Sequence, residues 1–328
     1  MTSRIWPSPP EAKATLAHAL DRAPDLGMQP RPQKRITSKI RIMSRKLLAI
    51  AFALNVVALS AKAEPAMWVI KDADSTIYLI GTLHLLKHDA EWNAEKVKKT
   101  VKESTELWLE TTDFDDQDAL APLMVKFGLD PEHPLSTKLN EEQKKKLEKL
   151  TSTYGIPPAK LEPLRPWLAA VVLAMSPIQK AGYDPEAGVE RVLAAQATAE
   201  GDKIRGFETA EEQLHLFADL SDEEQPQFLV GTLDELEKGV ELLDRLAKAW
   251  INGDVDTIGR LSIDEMKTEA PTVYDKLIVR RNIAWTKKIE EMLKGSGVQQ
   301  IAVGAAHLAG PDSLQAQLAK RGIKVERY

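Results

Sequence analysis

The chain has 328 residues, of which 43% are hydrophobic and 28% charged, as in ordinary soluble globular proteins. It contains no cysteine, which excludes a disulfide framework and thiolate ligands, so any metal site must use His, Asp and Glu. Residues 64–328 hold 33 Lys and Arg against 46 Asp and Glu, a net charge of −13. Such a charge disfavours binding to nucleic acid or to anionic lipid.

The N-terminal 63 residues have the composition of a targeting segment. A basic start at Arg45 and Lys46 precedes an apolar stretch over residues 47–61 and the small-residue end Ala61-Lys62-Ala63. This order predicts a signal peptide over residues 43–63, cleaved after Ala63, and a periplasmic or secreted product. The alternative is a membrane anchor, but the stretch is shorter than the roughly 20 residues that a spanning helix needs. We therefore expect no stable membrane insertion after cleavage, and we interpret residues 1–42 as a misassigned start or a disordered extension.

The first elements after residue 64 alternate between strands and a helix. Residues 67–72 and 75–80 are rich in β-branched and aromatic residues and flank an Asp-Ala-Asp turn, which predicts a hairpin. A Lys-rich helix is expected over residues 93–104, and a short apolar strand over residues 105–110, ending on Glu110.

The rest of the chain is mainly helical. Residues 141–293 carry apolar side chains at three- and four-residue spacing, interrupted by one strand over residues 202–208. A strand over 299–304, a helix over 312–322 and a final strand over 323–328 predict a βαβ unit if the two strands are parallel. We therefore expect one α/β domain over residues 64–328, with a mixed sheet and a large helical insertion.

Four predicted strands end on, or just before, a side chain able to bind metal: His84, Glu110, Glu208 and His307. Sites in α/β sheets form beyond the carboxyl ends of strands, so parallel strands would bring these groups together. Both histidines lie in Gly-x-x-His motifs, of which about 0.3 are expected by chance. The glycine allows the backbone to leave the strand tightly, so we expect Gly81 to form the turn that directs His84 toward His307.

Each of these residues also has a structural interpretation. A single histidine at a strand end most often bonds a nearby carbonyl. Glu208 precedes a potential capping box of Thr209 and Glu212 at a helix start. Glu110 precedes an acidic loop. The sequence has no HExxH, Walker or GxSxG motif, which disfavours the commoner zinc protease, nucleotide-binding and serine hydrolase mechanisms.

Over residues 68–328 the chain resembles the TraB/GumN family, part of the superfamily of Tiki proteases, PrgY-type proteins and erythromycin-esterase/ChaN-like proteins. The resemblance rests on ordered blocks: IYLIGTLHLL, ELWLE, RPWLAA, DPEAGVERVLAAQA, GFETAEEQL, AWINGD, RRNIAW and VGAAHLAGPDSLQAQLAKRGIKVERY. It implies an erythromycin-esterase/ChaN-like core with a site of His84, Glu110 and His307, supported by Arg281 and Asn282. Glu190 stands where similar sequences often have Asp, and we assign it no catalytic role.

Three functions follow from the resemblance and the residues. The first is a metal-dependent, peptidase-like hydrolase, in which His84, Glu110 and His307 hold manganese, cobalt or zinc and activate water. Here Glu208 would be a fourth ligand or general base, and Arg281 would bind an oxyanion or a substrate carboxylate. The second is a protein that sequesters a peptide or a small ligand such as haem without turnover. The third is a metal-free, esterase-like hydrolase with His84 as general base. The expected partner in all three is a peptide or a small molecule, and oligomeric state is left open.

Overall fold

The structure is a computed structural model that describes residues 64–112 and 117–328. The predicted extension (residues 1–42) and signal peptide (residues 43–63) lie outside the described residues. No helix in these two described ranges has the length and apolar content needed to cross a bilayer.

Six of the eight described strands form one mixed sheet. The strands are β1 Met67–Lys71, β2 Ser75–Thr82, β3 Leu86–Lys87, β4 Glu106–Leu109, β5 Tyr183–Asp184, β6 Lys203–Gly206, β7 Gly297–Gly304 and β8 Val325–Arg327. Their order across the large sheet is β6-β4-β7-β2-β1-β8, while β3 and β5 form a separate antiparallel pair. The mixed sheet confirms the predicted α/β class; the finer likeness to an erythromycin-esterase/ChaN-like core stays a prediction.

Strands β6, β4, β7 and β2 run parallel, so their carboxyl ends share one edge of the sheet. The predicted hairpin is confirmed, because β1 pairs antiparallel with β2 from Met67↔Ile80 to Lys71↔Thr76. Strand β8 pairs antiparallel with β1, and therefore runs parallel to β7 with β2 and β1 between them. The C-terminal strand–helix–strand segment thus has the expected direction, although its two strands are not neighbours.

Helices cover both faces of the sheet. They are α1 Glu95–Glu103, α2 Gln117–Gly128, α3 Glu141–Tyr154, α4 Pro166–Lys180, α5 Val189–Glu200, α6 Ala210–Ala218, α7 Glu224–Lys238, α8 Glu241–Ile251, α9 Val255–Gly259, α10 Glu265–Glu269, α11 Pro271–Tyr274, α12 Arg280–Met292 and α13 Leu314–Lys320. Alternate strand residues point to opposite faces, so Ile80 and Ala302 pack with α1, α5 and α8, whereas Leu79 and Ile301 pack with α12 and α13.

The helical insertion has its own apolar core. Buried leucines of α4 and α7, including Leu173, Leu229 and Leu233, pack with Leu150 of α3 and with Leu135. The predicted helical character of residues 141–293 is confirmed, but two strands interrupt it and not one, because the short β5 pairs with β3. Two π-helical turns, Arg260–Asp264 and Asp275–Val279, interrupt the α-helices there, and the second leads directly into α12.

Candidate functional site

The structure places the four predicted side chains at one edge of the sheet. Glu110 follows the last residue of β4, and Glu208 follows β6 after one intervening residue. His84 lies two residues past β2, and His307 lies three residues past β7 in a short 3₁₀ turn. The four strands that precede these side chains are parallel, so the side chains follow the same carboxyl edge of the sheet, as we expected.

Arg281 of α12 occupies the centre of this edge. Its Nε donates to Glu208 at 2.9 Å, and its Nη2 donates to Glu110 at 2.6 Å and to Glu208 at 2.8 Å. Its Nη1 lies 3.0 Å from Nε2 of His307 and donates to the carbonyl of Leu277 at 3.2 Å. Since a guanidinium has five N–H donors, none is left for a substrate oxyanion or carboxylate in this arrangement.

Glu110 is a buried carboxylate held from both sides. Its Oε1 accepts from the backbone N–H of Gly304 at 2.7 Å, and its Oε2 accepts from Arg281 and from Gln213. Burial raises the pKa of Glu110, but the neighbouring His307, Arg281 and His84 and the Gly304 hydrogen bond lower it to about 2. A Cβ at Gly304 would lie 3.0 Å from Oε1 of Glu110, so this motif glycine permits the close approach.

His307 is buried, and both of its ring nitrogens are used. Because Arg281 can only donate, Nε2 of His307 accepts, so the proton resides on Nδ1 and is donated to Oδ1 of Asn282 at 2.8 Å. The amide nitrogen of Asn282 donates to the carbonyls of His307 and Asp312, which fixes its orientation. Burial and the charge of Arg281 lower the pKa of His307 to about 3, so the ring is neutral near pH 7. Asn282 therefore orients His307.

The carboxylate of Glu208 has no free lone pair. Its Oε1 accepts from Nε of Arg281 and Nε1 of Trp285, at 2.9 and 3.0 Å. Its Oε2 accepts from Nη2 of Arg281 at 2.8 Å and from Gln213 at 3.3 Å. Two accepted hydrogen bonds on each oxygen use the capacity of a carboxylate, so this geometry favours a positioning role over that of a general base or a metal ligand.

The structural interpretation of the residues after Glu208 is also confirmed. Thr209 is the N-cap of α6, and it forms a capping box with Glu212. Helix α6 thereby begins beside Glu208 and presents Gln213 to both Glu208 and Glu110.

His84 differs from His307 because its side chain is 61% exposed. Its Nδ1 lies 2.7 Å from Oε1 of Glu190, and the hydroxyl of Thr82 donates to the same oxygen. The carboxylate of Glu190 raises the pKa of His84 to about 9 against the opposing effect of desolvation. Within the described ranges, Nε2 of His84 has no hydrogen-bond partner. It is the ring nitrogen through which the site can exchange a proton with a substrate.

Glu190 is the site residue that sequence reasoning missed. It lies in the first turn of α5, whose N-cap is Gly188. The N–H of Val189 donates to the carbonyl of Leu83 at 3.0 Å, and a Cβ on Gly188 would lie 2.4 Å from the carbonyl oxygen of His84. The Gly-Val-Glu sequence thus docks the helix start on residues 83–85, the loop between β2 and β3 that carries His84 (the His84 loop). An acidic residue two positions past a glycine at a helix start was the available signal.

Gly81 does not form the turn we expected. It lies inside β2, paired with Val303, and its φ is not positive. A Cβ at Gly81 would lie 3.0 Å from Cα of Ala305, which begins the 3₁₀ turn that carries His307. The glycine of the first motif is required because the turn of the second motif packs directly on it.

The predicted ligands His84, Glu110 and His307 do not fit a metal ion in this arrangement. Nη2 of Arg281 donates to Oε2 of Glu110 and its Nη1 donates to Nε2 of His307, which itself lies 3.7 Å from Oε1 of Glu110. Across residues 64–112 and 117–328, no group of three or more His, Asp or Glu side chains has an arrangement that could hold a metal. A divalent ion would have to displace the arginine, which already neutralises the carboxylate.

Known proteins are similar to this chain over most of its length. The profile of the TraB/PrgY/gumN family matches residues 66–327, which include every site residue described above. The chain belongs to this family. The uncharacterised protein YbaP of Escherichia coli (strain K12) is 27% identical over 254 residues, covering 77% of this chain and 92% of YbaP, and YbaP of Shigella flexneri gives the same values. An uncharacterised protein of Treponema pallidum (strain Nichols) is 22% identical over 274 residues, 79% of this chain and 82% of the relative. No solved structure matches.

Proposed function

We propose that this member of the TraB/PrgY/gumN family is a hydrolase of esters or amides that uses His84 as general base without a metal ion. The observation that carries the proposal is the exposed imidazole of His84, held at Nδ1 by Glu190 and without a partner at Nε2 among the described residues. A carboxylate on Nδ1 fixes the ring orientation and stabilises the imidazolium that forms when the ring accepts a proton.

In the proposed reaction, Nε2 of His84 takes a proton from water while the oxygen of that water bonds to the substrate carbonyl carbon. The imidazolium then returns the proton to the leaving oxygen or nitrogen as its bond to that carbon breaks. Glu190 holds the Nδ1 proton throughout. With a pKa near 9, His84 is mostly protonated at pH 7, so the reaction should be faster in alkaline solution.

The Arg281 cluster supports His84 without taking part in proton transfer. The side chain of Arg281 donates hydrogen bonds to Glu110, Glu208 and His307. These bonds join the ends of β4 and β6 to α12 and to the turn after β7. The cluster thereby fixes the sheet edge from which the His84 loop leaves.

A direct test compares hydrolysis of p-nitrophenyl acetate and of an unstructured peptide by the wild type, His84→Gln and His88→Gln. His88 is a matched control, because it is an exposed histidine of the same segment that also pairs with a carboxylate, Asp184. We expect His84→Gln to lose about 100-fold or more in kcat/KM, the usual range for a general base, and His88→Gln to lose little. Equal activity in all three proteins would contradict the proposal.

The same assay separates the other two functions. Activity lost on chelation and restored by manganese, cobalt or zinc would support the metal-dependent peptidase instead. Stoichiometric retention of a peptide or of haem, without product, would support sequestration.

We also propose that the mature protein begins after Ala63 and works outside the cytoplasm. The signal-like composition of residues 43–63 supports this proposal.

A further inference from the structure

A cavity of about 250 Å³ lies next to the His84 loop. Its walls come from β3, β5 and α8, and the side chains that form its apolar lining are Leu86, Ala90, Tyr183, Ala247 and Ile251. An engineered apolar cavity of about 150 Å³ is large enough to bind benzene, so this one has room for a phenyl ring or a branched aliphatic group.

The cavity is tied to the candidate site by two connections. Leu86 follows His84 by two residues, a distance that the chain spans in about 7 Å at most. Helix α8, which supplies Ala247 and Ile251, is joined to the end of β2, because Nε1 of Trp250 donates to the carbonyl of Gly81 at 2.7 Å. These two connections therefore fix the position of the cavity wall relative to the His84 loop.

Polar residues also line the cavity, namely Lys87, Asp89, Asp244, Lys248 and Asn252, and Nδ2 of Asn252 donates to the carbonyl of Lys248 at 2.7 Å. Lys87 Nζ and the hydroxyl of Tyr183 both donate to Oδ1 of Asp244, at 2.7 and 2.8 Å. These contacts leave the interior of the cavity apolar, as is usual for a site that receives a hydrocarbon group.

We propose that this cavity is the subsite for the apolar acyl or side-chain group of the substrate, so that the enzyme prefers esters or amides of medium-length aliphatic or phenyl-bearing acids. This inference rests on the proposed function. The substrate carbonyl would lie at His84 while its hydrocarbon group enters between α8 and the β3–β5 pair.

The test measures kcat/KM for p-nitrophenyl acetate, butyrate, hexanoate and octanoate. Three proteins are compared: the wild type, Ala247→Phe, which fills the cavity, and Ala319→Phe, which places the same side chain on an exposed position of α13. Each methylene that enters the cavity should raise kcat/KM by up to about fourfold in the wild type and in Ala319→Phe. Ala247→Phe should keep its activity on acetate and lose about tenfold or more on hexanoate. Ile251→Ala, which enlarges the recess, should move the optimum to a longer chain.

An unchanged chain-length profile in Ala247→Phe, with its acetate activity intact, would overturn the subsite and leave the proposed function standing. If neither the esters nor the peptide of the direct test is hydrolysed by any of the proteins, the proposed function fails, and saturation-transfer NMR with hexanoate and acetate decides the subsite independently. Saturation transfer to hexanoate that is observed with the wild type and not with Ala247→Phe supports the subsite. Equal saturation in both proteins overturns it.

Discussion

Nη1 of Arg281 lies 3.0 Å from Nε2 of His307, the ring nitrogen through which that histidine would bind a metal. An arginine in this position supplies the positive charge that the buried carboxylates require, and it does so with fixed hydrogen bonds. The two Gly-x-x-His histidines therefore have different roles in our account: His307 belongs to a buried, saturated cluster, and His84 faces the solvent.

Removal of metal ions should not change the activity. We expect hydrolysis of p-nitrophenyl esters to be the same before and after dialysis against EDTA, and to be unaffected by added manganese, cobalt or zinc. Elemental analysis of wild type and of a His84→Ala/His307→Ala double variant gives the second readout. About one metal per wild-type chain, lost in the double variant, would contradict our account.

Replacing Arg281 should destabilise the fold. Arg281→Met leaves the carboxylates of Glu110 and Glu208 without their cation, and breaking a buried pair in this way costs about 3–5 kcal/mol in free energy of unfolding. The measurement is urea unfolding followed by circular dichroism. The triple variant that also carries Glu110→Gln and Glu208→Gln should recover part of this loss, because no buried charge is then left uncompensated. If the loss of unfolding free energy in the triple variant equals the sum of the losses in the three single variants, the charges are not coupled.

Stability should fall in acid from about pH 6.5 downward. The folded-state pKa of His307 is lowered to about 3, so its contribution to stability is present above about pH 6.5 and is lost as the pH falls toward 3. Glu110, with a folded-state pKa of about 2, adds a loss between about pH 4.5 and 2. The free energy of unfolding, measured at half-unit steps of pH, should therefore drop by a few kcal/mol, on the order expected for buried groups. His307→Gln should flatten the dependence of the free energy of unfolding on pH above pH 4.5, and the exposed-site control His133→Gln should leave it unchanged.

The contact between Gly188 and the His84 loop can be tested with alanine. A Cβ on Gly188 would lie 2.4 Å from the carbonyl oxygen of His84, so Gly188→Ala must push α5 and Glu190 away. We expect a loss of about 1–3 kcal/mol in stability and a lower kcat. Gly231→Ala is the matched control, because nothing lies within 4 Å of its Cβ position in the interior of α7, where alanine should stabilise by about 0.5–1 kcal/mol. Similar losses in both variants would contradict the assigned role of Gly188.

Processing after Ala63 predicts a mature N-terminus at Glu64. Expression of the full chain in a Gram-negative host, followed by fractionation and N-terminal sequencing, should find the shortened protein outside the cytoplasm. Retention of residues 43–63 in the membrane fraction would instead indicate an anchor.

The sequence predicted the sheet edge because the evidence for it is local. Apolar runs of β-branched residues mark the strands, and the side chains that follow them are brought together once the strands are parallel. Thus His84, Glu110, Glu208 and His307 could be grouped without a structure. Local patterns also predicted the Thr209 cap and the first hairpin.

The partners of these side chains could not be predicted in the same way, because they come from distant helices. Whether Arg281 faces a substrate or two carboxylates depends on how α12 packs on the sheet, and the same packing uses the nitrogens of His307. In the sequence, Glu190 looks like an ordinary acidic residue in the first turn of a helix. It pairs with His84 only because Gly188 packs on the His84 loop. The same holds for Gly81. Its motif indicates that another part of the backbone packs closely on the glycine, but it does not indicate which part.

The most direct test of our account is the pH dependence of kcat/KM for wild type and Glu190→Gln. If His84 is the general base, wild-type kcat/KM should rise about tenfold per pH unit and level off near pH 9, where the ring loses its proton. In Glu190→Gln, loss of the carboxylate that raises this pKa should move the midpoint toward the ordinary histidine value of about 6.5 and lower the plateau. A midpoint that is the same in both proteins would contradict the claim that the His84–Glu190 pair carries the proton.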